Sequence, residues 1–168
     1  MDNPRSFKGD EALRAAAECC IRQNTDWKDL HVDYAYACVE DQILGGGDPL
    51  AEHWGEHKTF IQRIVKRYGC KCVIRHATQD MDHARQQQRR EVTIVIICDN
   101  GRHSSIAISK LLRVCLCFAE HEIGTVVNLS SRNFMDICTS CDSCKAKSER
   151  VHRQSTDWAI DFWDKLNE

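Results

Sequence analysis

The sequence lacks any run of apolar residues long enough to span a membrane, and no apolar signal segment begins it. We therefore expect no membrane partner and a reducing compartment, the cytoplasm or the nucleus. The sequence Gly-x-x-x-x-Gly-Lys-Ser/Thr is also missing, which excludes a P-loop nucleotide hydrolase. Eleven cysteines are present, and in such a compartment most of them should be free or metal-bound rather than paired in disulfides.

Charge is distributed unevenly, although the formal net charge is only −2. Residues 1–56 carry a net charge of −7, whereas residues 57–90 carry +7, with nine basic and two acidic side chains. A basic stretch of this kind favours an anionic partner such as RNA. A solvated helix face that pairs with the acidic first third of the chain explains the same pattern equally well.

A strand, a tight loop and a helix are predicted in succession within residues 92–120. Val92–Ile97 is short, uncharged and rich in β-branched residues, which is typical of a strand covered on both faces. Cys98–Ser105 is polar and contains glycine, and apolar residues at helical spacing follow it to about Glu120. The helix is expected to begin at Ser104.

The loop before this helix has the residue types of an anion-binding turn. The first turn of a helix leaves backbone N–H groups unpaired and directs the positive end of the helix dipole outward. Gly101 lets the backbone approach a ligand, and a hydroxyl of Ser104 or Ser105 can donate to a phosphate oxygen. Arg102 and His103 can add charge-assisted hydrogen bonds. A well-capped turn that binds nothing is the alternative. The candidate ligand-binding residues are Cys98, Asn100, Gly101, Arg102, His103, Ser104 and Ser105.

Strands and helices are predicted to alternate along the chain. The other predicted elements are an alanine-rich helix near 10–21, strands at 30–35, 70–76 and 123–129, helices at 50–68 and 148–166, and an exposed polar segment at 79–90. This order predicts an α/β fold, a three-layer sandwich with a mostly parallel central sheet. Ligands of such sheets bind beyond the carboxyl ends of the strands, where the loop 98–105 is expected to lie.

Three cysteines near the end of the chain have the spacing of metal ligands. Cys138, Cys141 and Cys144 are separated by two residues each, and His152 follows. Thiolates at this spacing can bind one zinc ion from a tight turn, and His152 or a distant cysteine is expected to supply the fourth ligand. Free thiols are the alternative. Six other cysteines lie in apolar periodic stretches and are expected to be small core residues: Cys19, Cys20, Cys70, Cys72, Cys115 and Cys117.

Cys98 also raises the alternative of an enzyme. A cysteine between a strand and a helix is found in the protein tyrosine phosphatases, where an arginine six residues later clamps the phosphoryl group. Here that position is Ser104, so the bidentate partner of the transition state is missing. Phosphatase or sulfurtransferase chemistry with Cys98 as nucleophile is therefore the minority alternative, and a zinc-stabilised scaffold that binds proteins is a further one.

The motif Ile97–Ala107 resembles the C-terminal domain of the RapZ (RNase adapter protein) family in its stand-alone eukaryotic form. The family signature is a cysteine, a glycine-bearing loop and then Gly-x-His-Arg-Ser-Val at a strand-to-helix junction. The similarity extends over Leu30–Asp33 as a first strand, Asp48–Leu50 with His57–Val65 as the next loop and helix, and Val126–Leu129 with the cysteine tail.

This resemblance implies a non-catalytic domain that binds phosphorylated ligands, either a sugar phosphate, a nucleotide or RNA. Cys98, Gly101, His103 and Ser105 match the family motif, and the family arginine is Ser104 here. The implied organisation is an N-terminal tail and helix over residues 1–29, followed by the α/β domain over 30–168, which includes the cysteine-rich segment 138–152.

Overall fold

The structure is a computed structural model that describes residues 11–24, 27, 29–38, 53, 57–98, 103–124, 141, 157, 163 and 164. Within these residues the chain forms a mixed α/β fold. The elements in chain order are α1 (Glu11–Asn24), β1 (Tyr34–Cys38), α2 (Lys58–Ile64), α3 (Tyr68–Gln86), β2 (Ile94–Cys98) and α4 (Ser104–Phe118).

The two strands lie side by side and parallel. Tyr34 is opposite Ile94, and Cys38 is opposite Cys98, so both strands end at the same edge of the sheet. Parallel neighbours need a long crossover between them, and α2 and α3 lie in that connection. Parallel pairing, expected from the alternation of strands and helices, is confirmed.

Helices cover both faces of this pair of strands. On one face, Ala17 and Ile21 of α1 pack with Ala35 of β1, and Val95 and Ile97 of β2 flank them. The main core lies on the other face and joins the sheet to α2, α3 and α4. Its largest fully buried side chains are Tyr36, Phe60, Ile61, Ile64, Val73, Ile74, Leu111, Cys70 and Cys115. The mixed α/β class is thus established, and the three-layer sandwich stays a prediction.

The predicted strand at 70–76 is wrong, because this segment belongs to the helix α3. Cys70, Val73, Ile74 and Ala77 are buried at intervals of three and four residues, which is the period of a helix. The short apolar run Cys72–Ile74 has the residue types of a strand, but its neighbours continue the helical period in both directions. Gly69 lies in the first turn of α3.

Other predicted boundaries also change. The first strand begins at Tyr34 rather than Leu30, so Leu30–Asp33 precedes it. Of the predicted helix 50–68, residues 50–52 and 54–56 lie outside the described residues, and α2 begins at Lys58. It ends at Ile64, before the predicted bound, with 3₁₀-type hydrogen bonds from Lys66 N–H to Arg63 O and from Arg67 N–H to Ile64 O. Ile123 and Gly124 are not in a strand, and residues 125–129 lie outside the described residues.

Only three residues of the predicted final helix, 148–166, are described. Asp157, Trp163 and Asp164 have helical backbone, and Trp163 packs against the main core. The rest of that helix lies outside the described residues. None of the described helices is both long and apolar enough to cross a lipid bilayer.

The cysteines expected in the core divide into two groups. Cys70, Cys72 and Cys115 are buried, as predicted. Cys19, Cys20 and Cys117 are exposed, because Ala17, Ile21 and Leu116 occupy the inward positions of their helices, so that prediction was wrong. Burial raises the pKa of the Cys115 thiol to about 12, which keeps this core thiol protonated.

Tyr36 links the sheet to α3 and makes stability sensitive to alkaline pH. Its Oη donates to Asp80 Oδ2 at 2.6 Å, and burial together with this bond raises the pKa of the phenol. The unfolded phenol ionises near pH 10, whereas the folded one stays neutral. The contribution of Tyr36 to the free energy of unfolding is therefore complete below pH 10 and is lost as the pH rises further.

Between pH 10 and 11, we expect the free energy of unfolding to fall less steeply with pH in Tyr36→Phe than in the wild type. Urea titrations at each pH measure this slope, and equal slopes would contradict the assignment.

Candidate functional site

The candidate site lies where β2 ends and α4 begins, and we call residues 98–105 the β2–α4 junction. Cys98 is the last residue of β2, and Ser104 is the first of α4. Because Cys38 is opposite Cys98, the junction leaves the sheet at the carboxyl edge shared by both strands. Ligands of parallel sheets commonly bind at this edge, and the sequence predicted that the loop would lie there.

The first turn of α4 presents backbone donors. Within the described residues, Ala107 N–H is the first amide of α4 with a partner one turn back, and it donates to His103 O at 3.0 Å. The amides of Ser104, Ser105 and Ile106 precede it and have no acceptor inside the helix. His103 is the N-cap residue and makes no capping hydrogen bond with its side chain. The first turn also contains no acidic residue, so the positive end of the helix dipole is not neutralised within α4.

Cys98 and Ser105 are in direct contact across the junction. The Cys98 thiol donates to Ser105 Oγ at 3.1 Å. Ser105 is buried and Cys98 is partly buried. A hydroxyl that accepts from the thiol keeps its own hydrogen available for a further acceptor, which is what an oxygen of a phosphoryl group offers.

His103 is held by the core rather than exposed on a loop. It is 6% exposed, and its ring lies 5.4 Å from the ring of Phe60, with an angle of 35° between the planes. Phe60 in turn is buried in the main core, within α2. The contact fixes the position at which α4 begins, because the N-cap residue packs against a rigid side chain.

The structure describes four of the seven predicted ligand-binding residues, and two of them, Cys98 and Ser105, are in contact. The four are Cys98, His103, Ser104 and Ser105. Asn100, Gly101 and Arg102 lie outside the described residues. Of the predicted metal ligands, Cys141 is described, whereas Cys138, Cys144 and His152 lie outside the described residues.

The basic stretch forms the exposed surface of α2, α3 and the turns that follow them. The exposed basic side chains are Arg63, Lys66, Arg67, Arg75, Arg85, Arg89 and Arg90. Arg89 pairs with the Asp33 carboxylate, which raises the pKa of the guanidinium. The other six give the crossover an exposed positive charge. Pairing with a carboxylate of the acidic first third is therefore present at Arg89.

A second candidate group combines Cys141, which the sequence predicted as a metal ligand, with two histidines that it did not predict. His53, His57 and Cys141 each offer one metal-binding atom, and these three atoms lie within 4.8 Å of one another. The two rings are 4.5 Å apart. The signal was available, since His53 and His57 have the spacing His-x-x-x-His, which is common among zinc ligands. The cysteines that complete such a motif lie far along the chain, so the spacing alone does not pair them with these histidines.

No family model matches the chain, and neither the curated proteins nor the solved structures include a significant match. The resemblance to the RapZ C-terminal domain therefore stays a prediction.

Proposed function

We propose that the protein is a non-catalytic domain that binds a phosphorylated ligand at the β2–α4 junction, with RNA as the favoured partner. The observation that carries the proposal is the first turn of α4, which the side chain of its N-cap residue His103 does not cap and whose amides lie at the carboxyl edge of two parallel strands. Anions bind such a turn because several N–H groups and the helix dipole act together. We also propose the predicted three-layer sandwich, in which this turn is the anion-binding turn.

Three described residues of the junction have proposed roles. The amides of Ser104 and Ser105 donate to phosphoryl oxygens, and the Ser105 hydroxyl adds a further donor. His103 sets the start of α4 through its contact with Phe60. Gly101 and Arg102 are proposed from the sequence to supply a close backbone approach and a charged donor.

A thermal-shift screen tests the proposal most broadly. We expect a sugar monophosphate, a nucleotide or a short RNA at about 100 times its dissociation constant to raise the unfolding midpoint by about 5–10 °C. The matched sugar or nucleoside without phosphate is the control and should leave the midpoint unchanged. A screen in which phosphorylated and unphosphorylated compounds act alike would contradict a phosphate site.

RNA as the partner is supported by the exposed cations of α2 and α3, and salt dependence tests it. Single-stranded RNA that contacts Z phosphates loses affinity with a slope of about −0.7Z in log K against log salt. We expect Lys66→Gln together with Arg67→Gln to reduce the magnitude of this slope by about 1.4. Arg113→Gln removes an exposed cation from α4 and is the control. An unchanged slope in the double variant would place the RNA elsewhere.

A hydrolase is the second candidate function, and one contact favours it. Ser105 Oγ lies 3.1 Å from Cys98 Sγ, and a hydroxyl at that position can donate to a thiolate nucleophile. Cys98→Ser separates the two functions, because it abolishes turnover of an aryl phosphate by a cysteine enzyme but leaves phosphate binding nearly intact in a binding domain. We expect the second result.

We also propose that the protein binds zinc as a structural cofactor. Support comes from the Cys141 thiol, which lies beside two imidazoles, because sulfur and nitrogen ligands of this kind suit zinc. The third candidate, a zinc-stabilised scaffold that binds only proteins, would keep its metal but respond to no phosphorylated compound in the screen.

A further inference from the structure

The His-His-Cys cluster, formed by His53, His57 and Cys141, joins two distant parts of the chain. His57 is the N-cap residue of α2 and is 9% exposed, whereas His53 and Cys141 are partly buried. The imidazole rings of the two histidines are 4.5 Å apart with an angle of 44° between their planes. Two imidazoles and a thiol converge here from segments that no local periodicity would bring together.

We propose that His53, His57 and Cys141 bind one zinc ion, and the sequence spacing makes Cys138 and Cys144 the candidates for its fourth ligand. A structural zinc ion takes four ligands, so two histidines and Cys141 leave one position. Cys138 and Cys144 each lie three residues from Cys141 in the sequence, which is the spacing at which two thiolates bind one ion. His152, which the sequence alone placed among the ligands, is not needed in this centre.

The distances suit a zinc ion. Zinc bonds to histidine nitrogen at about 2.0–2.1 Å and to cysteine sulfur at about 2.3 Å, so tetrahedral ligand atoms lie about 3.3–3.8 Å apart. The three donor atoms of the cluster lie within 4.8 Å of one another. Binding therefore requires each pair to approach by at most about 1.5 Å. Rotation about the side-chain bonds of His53 and Cys141 supplies a movement of that size.

The sequence spacing agrees with this ligand set. His53 and His57 form a His-x-x-x-His pair, and Cys141 forms a Cys-x-x-Cys pair with either neighbouring cysteine. Structural zinc sites commonly combine these two spacings. Here the histidine pair precedes the cysteine pair, and the chain must fold back to unite them. The structure places Cys141 against the histidines in that way.

Metal binding has a local cost at the start of α2. His57 Nδ1 accepts a hydrogen bond from Thr59 N–H at 3.3 Å. Zinc on Nδ1 uses the lone pair that accepts this bond, and zinc on Nε2 requires the ring proton to move to Nδ1, which then cannot accept. In either case Thr59 N–H loses its acceptor. The proposed centre therefore exchanges the cap of a short helix for a link between α2 and the segment around Cys141.

Cobalt(II) titration of the full-length protein tests the centre, because cobalt replaces zinc and is coloured. We expect one equivalent to bind, with a cobalt–thiolate charge-transfer band and the intense visible bands of tetrahedral cobalt. His53→Gln, His57→Gln and Cys141→Ser should each weaken binding by more than about a hundredfold, since even partners of a metal ligand change affinity by 10- to 100-fold. Among Cys138→Ser and Cys144→Ser, one should behave in the same way.

Cys19→Ser, which changes an exposed thiol on α1, and His152→Gln are the controls, and both should bind cobalt as the wild type does. Circular dichroism of each variant shows whether it folds. The His53→Gln variant keeps the α2 cap and therefore tests the metal without changing the helix. A wild type that gives no thiolate band, or histidine variants that bind as tightly as the wild type, would overturn the centre. Loss of binding in His152→Gln would do so too. None of these readouts depends on phosphate binding.

Discussion

Phe60→Ala should reduce the free energy of unfolding by about 3–5 kcal/mol. The Phe60 side chain is 1% exposed and lies in the main core, so its removal leaves a cavity that the surrounding helices fill only in part. Urea denaturation measures the loss. Ile21→Ala is the matched control. It also removes a buried side chain, but from the core on the opposite face of the sheet. A loss below about 1 kcal/mol for Phe60→Ala would contradict the packing described here.

The milder Phe60→Leu variant separates stability from function. Leucine is smaller than phenylalanine but fills most of the site, so the cavity and the loss of stability should be smaller than in Phe60→Ala and the protein should remain folded. It removes the aromatic contact that positions His103, and we expect weaker phosphate binding at the junction as a result. Ile21→Val is the corresponding change in the other core cluster. It should leave ligand affinity unchanged, and equal affinity losses in the two variants would argue against positioning through Phe60.

Asp33→Ala should reduce the free energy of unfolding by about 2–3 kcal/mol, because its carboxylate connects the starts of the two strands. The side chain is 7% exposed. Its Oδ2 accepts from Thr93 N–H at 2.7 Å, and Oδ1 pairs with Arg89. Thr93 O also accepts from the amides of Asp33 and Tyr34, so this carboxylate completes a two-way connection between the strands. Without it, the Thr93 amide loses its acceptor.

Asp33→Asn distinguishes the backbone bond from the charge. The amide oxygen of asparagine can still accept from Thr93 N–H, whereas the ion pair with Arg89 is lost. We therefore expect Asp33→Asn to be clearly more stable than Asp33→Ala and less sensitive to salt than the wild type. Chemical denaturation at low and high salt measures both effects. Two variants of equal stability would show that the bond to Thr93 contributes nothing.

The β2–α4 junction could be predicted because its signals are local. The β-branched run before Cys98, the polar loop and the helical spacing after Ser104 all act within a few residues, and the structure has β2 and α4 within two residues of the predicted bounds. The segment around Cys72–Ile74 was misassigned for the opposite reason. A short apolar run suits a strand or a helix, and only the long period of burial along α3 decides between them.

The start of β1 was predicted wrongly for a different reason. Val32 is 0% exposed although it precedes the strand, because it packs beside α1, where Glu18 accepts a hydrogen bond from its amide. Hydrophobic burial alone therefore placed the strand too early. The His-His-Cys cluster depends on contacts between residues far apart in the sequence, and neither composition nor periodicity carries that information. Only the chemistry of the two ligand spacings could have suggested it.

The central claim, that phosphate binds the first turn of α4, is tested most directly by nuclear magnetic resonance. Inorganic phosphate, followed by whichever sugar phosphate or RNA raises the unfolding midpoint most, is titrated into ¹⁵N-labelled protein. The account predicts saturable shifts of the Ser104, Ser105 and Ile106 amide signals, larger than those of the amides in the middle of α4. If the ligand binds while these three amide signals stay in place, the phosphate site is not at the β2–α4 junction.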